Sequence, residues 1–257
     1  MRGDLDQALH MYEQGLSLQE RAGDEHGRAL SLQNMGGVFT TRGELDRALA
    51  MYQESLALFE RLGDVQGKAT TLTQMAVVLV TRGELDRALA MYQESLALSE
   101  QIGDTEARAR IYANMGSTLE KLARWNDAIA CYEKAMTNAE VLGDRTIQGL
   151  IYNNLGTVYA DKGEWDRAIE FYEKSLAILE RVGDIHGMAR TYGNLGLYFQ
   201  ARGKTEQAAG YAARAHLMFA RLGAAETQKA ADLVVSILGS VEAADAYLAR
   251  LPEQDEA

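Results

Sequence analysis

The chain has 257 residues, 47% of them hydrophobic, with 37 acidic against 26 basic side chains and a formal charge of −11. That field repels polyphosphates, so no nucleic acid partner is expected. The longest apolar runs, such as Met75 to Val80, fall far short of the ~20 residues that cross a bilayer, so no membrane partner is expected either.

The opening MRGDLDQALHMYEQ has no apolar stretch of the secretory kind, and a lone cysteine, Cys131, cannot close an internal disulfide; the expected compartment is a reducing cytoplasm. His10, His26, His186 and His216 are scattered and fit no metal-ligand spacing, so no metal and no cofactor are expected.

Two rows of punctuation step along the chain at intervals of forty residues. Gly3, Gly43, Gly83, Gly163 and Gly203 form one, with Ala123 in the gap. Gly23-Asp24, Gly63-Asp64, Gly103-Asp104, Gly143-Asp144 and Gly183-Asp184 form the other, decaying to Gly223-Ala224. A glycine after an amphipathic run closes a helix at φ > 0, a cation before it (Arg42, Arg82, Lys162, Arg202) complements the helix dipole, and the Asp can N-cap the next helix.

In chain order this predicts a lone second helix, Leu5 to Arg21, within residues 1–24, and then five forty-residue helix pairs over 25–228. Ile185 to Arg202 followed by about Lys204 to Leu222 is one such pair. Two short helices broken at Gly239-Ser240 cap the stack over 229–251, and 252–257 is a polar tail. The whole is expected to be one continuous all-α domain.

The pattern of the second helices is helical and repetitive. Leu45, Ala48, Leu49, Tyr52, Leu56 and Phe59 recur as Leu85, Ala88, Leu89, Tyr92 and Leu96, then as Trp165, Ala168, Ile169, Tyr172 and Leu176, which makes these rows core. TRGELDRALAMYQESLAL stands at 41–58 and again at 81–98. Its Glu44, Asp46, Arg47, Gln53 and Glu54 read as a solvated outer surface.

Tyr152, Leu155-Gly156, Tyr159, Gly163, Ala168, Tyr172 and Ser175, repeated as Tyr192, Leu195-Gly196, Phe199, Gly203, Ala208 and Ala215, resemble the tetratricopeptide repeat signature over nearly all of residues 4–222. The forty-residue period resembles the long repeats of the Pins and kinesin-light-chain groups and of bacterial peptide-sensing regulators. Departures are the missing helix-ending proline, Ala76 in place of glycine, and Ala212 in place of tyrosine with Tyr211 one place early. The resemblance implies a right-handed superhelical solenoid of antiparallel helix pairs, its concave side lined by the first helices, acting as a signalling or adaptor scaffold for a protein or peptide ligand.

With Ala29, Ala69, Ala109, Gly149 and Ala189 as position one, the inward stripe holds positions two, five, six, nine, twelve and thirteen. Position six reads Asn34, Gln74, Asn114, Asn154 and Asn194. A carboxamide pairs with a peptide unit's C=O and N–H together, and the resemblance implies an asparagine ladder that grips an extended peptide. The same amides could instead cap or bridge neighbouring repeats.

At ~0.5 to 1.5 kcal/mol per neutral hydrogen bond the ladder alone gives millimolar binding or weaker, so anchors are needed. Arg110, Ser117, Lys121, Asn153, Thr157 and Arg190 are the candidates, and the two arginines, flanking an Asn-rich centre, point to a peptide with acidic side chains bound across the three repeats from Arg110 to Arg190 unless they pair with neighbouring helices. No Ser-His-Asp or Cys-His set and no phosphate loop is present, so an enzyme is not expected and Cys131 reads as structural. The alternative is a self-assembling module, a homo-oligomer stacking through the uncovered Leu5, Ala8, Leu9 and Tyr12 of the N-terminal helix.

Overall fold

The computed structural model describes residues 2–250; the expected tail at 252–257, and residue 251 of the capping segment, lie outside them. Thirteen α-helices and no strand occur among the described residues. In order they are α1 (Arg2–Ala22), α2 (Glu25–Thr41), α3 (Leu45–Leu62), α4 (Val65–Thr81), α5 (Leu85–Gln101), α6 (Thr105–Lys121) and α7 (Trp125–Leu142), then α8 (Arg145–Asp161), α9 (Trp165–Val182), α10 (Ile185–Ala201), α11 (Thr205–Arg221), α12 (Thr227–Leu238) and α13 (Val241–Leu248). They fall into two compact units, α1 to α7 through Leu142 and α8 to α13 from Gly143.

The turns form for the reasons written in the sequence. Gly43, at φ 75°, leaves α2 in the left-handed region that a Cβ disfavours, and each first helix opens on a capping aspartate. Asp24, Asp64, Asp104, Asp144 and Asp184 accept from the backbone N–H of Gly27, Gly67, Ala107, Ile147 and Gly187 at 2.8 to 2.9 Å. Arg42 and Arg82 stand one residue past the last helical turn and bond carboxylates: Arg42 meets Asp6 and Glu44, and Arg82 meets Asp46 and Glu84.

Within the first unit α2/α3, α4/α5 and α6/α7 are antiparallel pairs, and α1 lies on α2. Ser55 Oγ, late in α3, donates to the Ala29 carbonyl, early in α2, at 2.8 Å; Ser95 does the same to Ala69 at 2.7 Å. Tyr52 packs edge-on against Gly36 so closely that a Cβ there would lie 2.6 Å from the ring, and Tyr132 treats Gly116 in the same way. At the corresponding Ala76 the Cβ is present and Tyr92 is still buried. Leu9 is buried in a cluster with Met35, Phe39 and Tyr52, and Tyr12 and Leu16 pack on that cluster from α1.

The second unit repeats the scheme with α8/α9 and α10/α11, and Ser175 Oγ donates to the Gly149 carbonyl at 2.8 Å. Ala212 stands where a tyrosine is expected because the helices come closer: a Cβ on Gly196 would lie 3.2 Å from the Ala212 backbone nitrogen. Tyr211 lies outside that contact and stacks on Phe199 at 5.3 Å and on Tyr192 at 6.0 Å. The short helices α12 and α13 break at Gly239, φ 85°, and Ser240 caps α13.

Candidate functional site

The position-six amides sit on first helices. In the first unit Asn34 on α2 is exposed, while Gln74 on α4 and Asn114 on α6 are half-buried. Ser117 is half-buried one turn beyond Asn114, and Lys121 is exposed at the end of the same helix. Arg110 is exposed and bonds Glu106, one turn back on its own helix, at 2.9 Å.

Position five behaves differently from position six. Gln33, 7% exposed, donates through Nε2 to Thr71 Oγ1 at 2.8 Å and so ties α2 to α4. In the second unit Asn153, 2% exposed, is the equivalent tie: Asn194 Nδ2 on α10 donates to its Oδ1 at 3.0 Å, and its own Nδ2 donates to Asn154 Oδ1 at 3.3 Å. Asn194 Nδ2 also reaches Thr157 Oγ1 at 3.3 Å, and Tyr172 donates to that hydroxyl at 3.2 Å. The amides of Asn153, Asn154 and Asn194 and the hydroxyl of Thr157 therefore form one network between α8 and α10, with Arg190 exposed one turn before Asn194.

A cavity of about 260 Å³ opens between α4, α5 and α6. Thr70, Thr73, Gln74 and Arg110 of the predicted stripe line it, together with Ser95 and Ser99, which sequence reasoning did not select. The available signal was that Ser99 is the first residue to differ after the copied segment, where its counterpart is Phe59.

Ionisation elsewhere follows burial. The Cys131 thiol is pushed up chiefly by desolvation, which lowers its thiolate fraction and its reactivity. The hydroxyls of Tyr52, Tyr92 and Tyr132 are pushed up for the same reason. Among the described residues no group of three or more His, Cys, Asp or Glu could hold a metal ion, and no helix is long and apolar enough to cross a membrane.

Comparison with known proteins rests on the repeats. No curated protein sequence matches the chain. Among solved structures it is similar to BtubC from P. vanneervenii, 22% identical with a TM-score of 0.72 over 85% of this chain and 92% of that one. It is also similar to the apo form of RapI, 20% identical with a TM-score of 0.74 over 96% and 90%. A Rap protein complexed with Competence and Sporulation Factor is 15% identical with a TM-score of 0.69 over 96% and 72%. At these identities the likeness is one of fold. The tetratricopeptide repeat model matches residues 1–61, 67–140 and 148–219, so the chain belongs to the tetratricopeptide repeat family.

Proposed function

We propose that the chain is a protein-interaction scaffold that holds an extended peptide segment on the first-helix face of its first unit. The observation that carries this reading is the row Asn34, Gln74 and Asn114 on α2, α4 and α6, exposed or half-buried, beside the buried Gln33 and Thr71, which bond each other between α2 and α4. In the second unit Asn194 donates across to Asn153 on α8, and Asn154 accepts from Asn153 on its own helix, so their amides are less available to a ligand than those of Asn34 and Asn114. A Rap protein of similar fold, solved in complex with Competence and Sporulation Factor, supports a bound partner for this fold.

Charge preference follows from the arginines. Arg110 is already paired with Glu106, so in the first unit an acidic side chain gains more from Lys121; in the second unit Arg190 is the exposed cation available to one. Self-association through α1 is the weaker reading, because Leu9 is buried and Tyr12 packed within the chain's own core.

Isothermal titration of a capped, extended acidic peptide into the parent chain and an Asn34→Ala, Asn114→Ala double variant tests the proposal. At about 1 kcal/mol for each lost hydrogen bond, the variant should bind roughly thirtyfold more weakly with unchanged helicity. Equal affinity in both proteins would place the working surface elsewhere.

A further inference from the structure

The segments at 41–58 and 81–98 are identical, and the residue that follows is Phe59 in one and Ser99 in the other. Phe59 is fully buried and fills the space over Gly67 so completely that a Cβ on that glycine would lie 2.4 Å from its ring. One repeat on, the matching pair is Ser99 and Ala107: a phenyl ring has been removed and a single methyl returned. The space left over is the cavity of about 260 Å³ between α4, α5 and α6. That is several times the ~30 Å³ share of one water, and just under the ~300 Å³ at which pockets begin to hold drug-sized ligands.

Two polar atoms of the lining have no hydrogen-bond partner among the described residues: Oγ of Ser99, which is 0% exposed, and Oε1 of Gln74. The neighbouring hydroxyls are satisfied, since Thr73 and Ser95 bond each other at 2.8 Å and Ser95 also reaches the Ala69 carbonyl. Gln74 is the one glutamine in a row of asparagines, and Ser99 is the residue at which the copy first breaks. The two exceptions line the same cavity.

We infer that this cavity is a side-chain pocket for a primary carboxamide, that of a glutamine or asparagine in the bound peptide, an inference that rests on the peptide-scaffold reading above. A carboxamide NH₂ donates to Gln74 Oε1 while its carbonyl accepts from the Ser99 hydroxyl. Two amides pair head to tail whichever way the oxygen and nitrogen of Gln74 are placed, so the match does not depend on that assignment. A carboxylate has only acceptors to offer, and the one cation on the lining, Arg110, already bonds Glu106 at 2.9 Å with Asp104 nearby on the same lining. An aliphatic side chain would fill the space and leave both polar atoms unpaired, the situation by which hydrogen-bonding pockets reject apolar analogues.

The test uses three capped pentapeptides, Ala-Ala-Xaa-Ala-Ala with Xaa as Gln, Glu or Met, titrated into the parent chain and into a Ser99→Phe, Ala107→Gly double variant. That variant restores the Phe59 and Gly67 pairing that α3 and α4 already accommodate, so it is expected to fold. The parent should prefer the Gln peptide at least tenfold, and the double variant should bind all three alike. Should the double variant not fold, Ser99→Ala, which deletes only the hydroxyl, should reduce the preference severalfold.

Equal binding of the three peptides to the parent, or a preference that survives in the filled variant, would overturn the pocket and leave the scaffold reading standing. Acetamide titrated into ¹⁵N-labelled protein separates the two ideas further. A shift of the Gln74 side-chain NH₂ that vanishes in the filled variant supports the pocket even where no peptide binds, and no shift in the parent overturns it.

Discussion

Ala123 holds a φ of 55° at the turn between α6 and α7, where each of the other inter-helix turns places a glycine at positive φ. The left-handed region costs an L-residue roughly 1–2 kcal/mol, and glycine gives back about 0.5–1 kcal/mol through its freer unfolded chain. Ala123→Gly should therefore stabilise the first unit by about 0.5–1 kcal/mol, seen as a higher denaturant midpoint at unchanged m-value; a lower midpoint would show that the alanine methyl contributes contacts that outweigh its strain. This position was legible in the sequence as the single gap in a row of glycines. Asn153 was not: its place on the stripe predicted an anchor for the peptide, and only the approach of α8 to α10 shows that its amide is sealed between them. Ser99 needed a comparison of copies, because a serine near the end of an amphipathic helix carries no signal until the phenylalanine it stands in for is known to fill the core.

Helices alternate in how they begin. First helices open on an aspartate whose side chain caps the third residue on, whereas α3, α5, α9 and α11 open on Glu44, Glu84, Glu164 and Lys204 with no side-chain cap bond. Glu164 accepts from Lys162 and Arg167 instead, and these neighbours hold its carboxyl below the usual range. Asp184→Ala should thus cost α10 about 1 kcal/mol, within a span of ~0.5–2 kcal/mol, and Glu164→Ala clearly less; paired urea titrations check the order, and equal losses would mean that the cap bond is not what the aspartate supplies. Helix bounds were legible because glycine, aspartate and the apolar stripe recur in phase. The partners of Arg42 and Arg82 were not, since a cation near a helix end reads as a dipole complement until the carboxylate of the preceding repeat is seen beside it.

For the whole chain, burial of tyrosines sets the alkaline limit. Tyr52, Tyr92 and Tyr132 are buried in the first unit, and desolvation raises their ionisation above the ~10 of an unfolded tyrosine. A raised folded value means that their contribution is complete below pH ~10 and is lost as pH rises beyond it, because the unfolded chain releases those protons first. Tyrosinate absorbance followed against helical circular dichroism should show a buried fraction that ionises only as helix is lost; full ionisation near pH ~10 with the helices intact would refute this. The fold class and family were legible from the repeated signature alone. The division at Leu142 and Gly143 was not, since Gly143-Asp144 carries the same letters as the turns inside each unit.

Inside each unit the main contacts of a helix pair are with the pairs beside it, and the pairs recur every forty residues. Such an arrangement is also a mechanical one. Under tension it would give way link by link, each released pair adding forty residues, about 130–145 Å of extended chain, so that the period written in the letters becomes a unit of length.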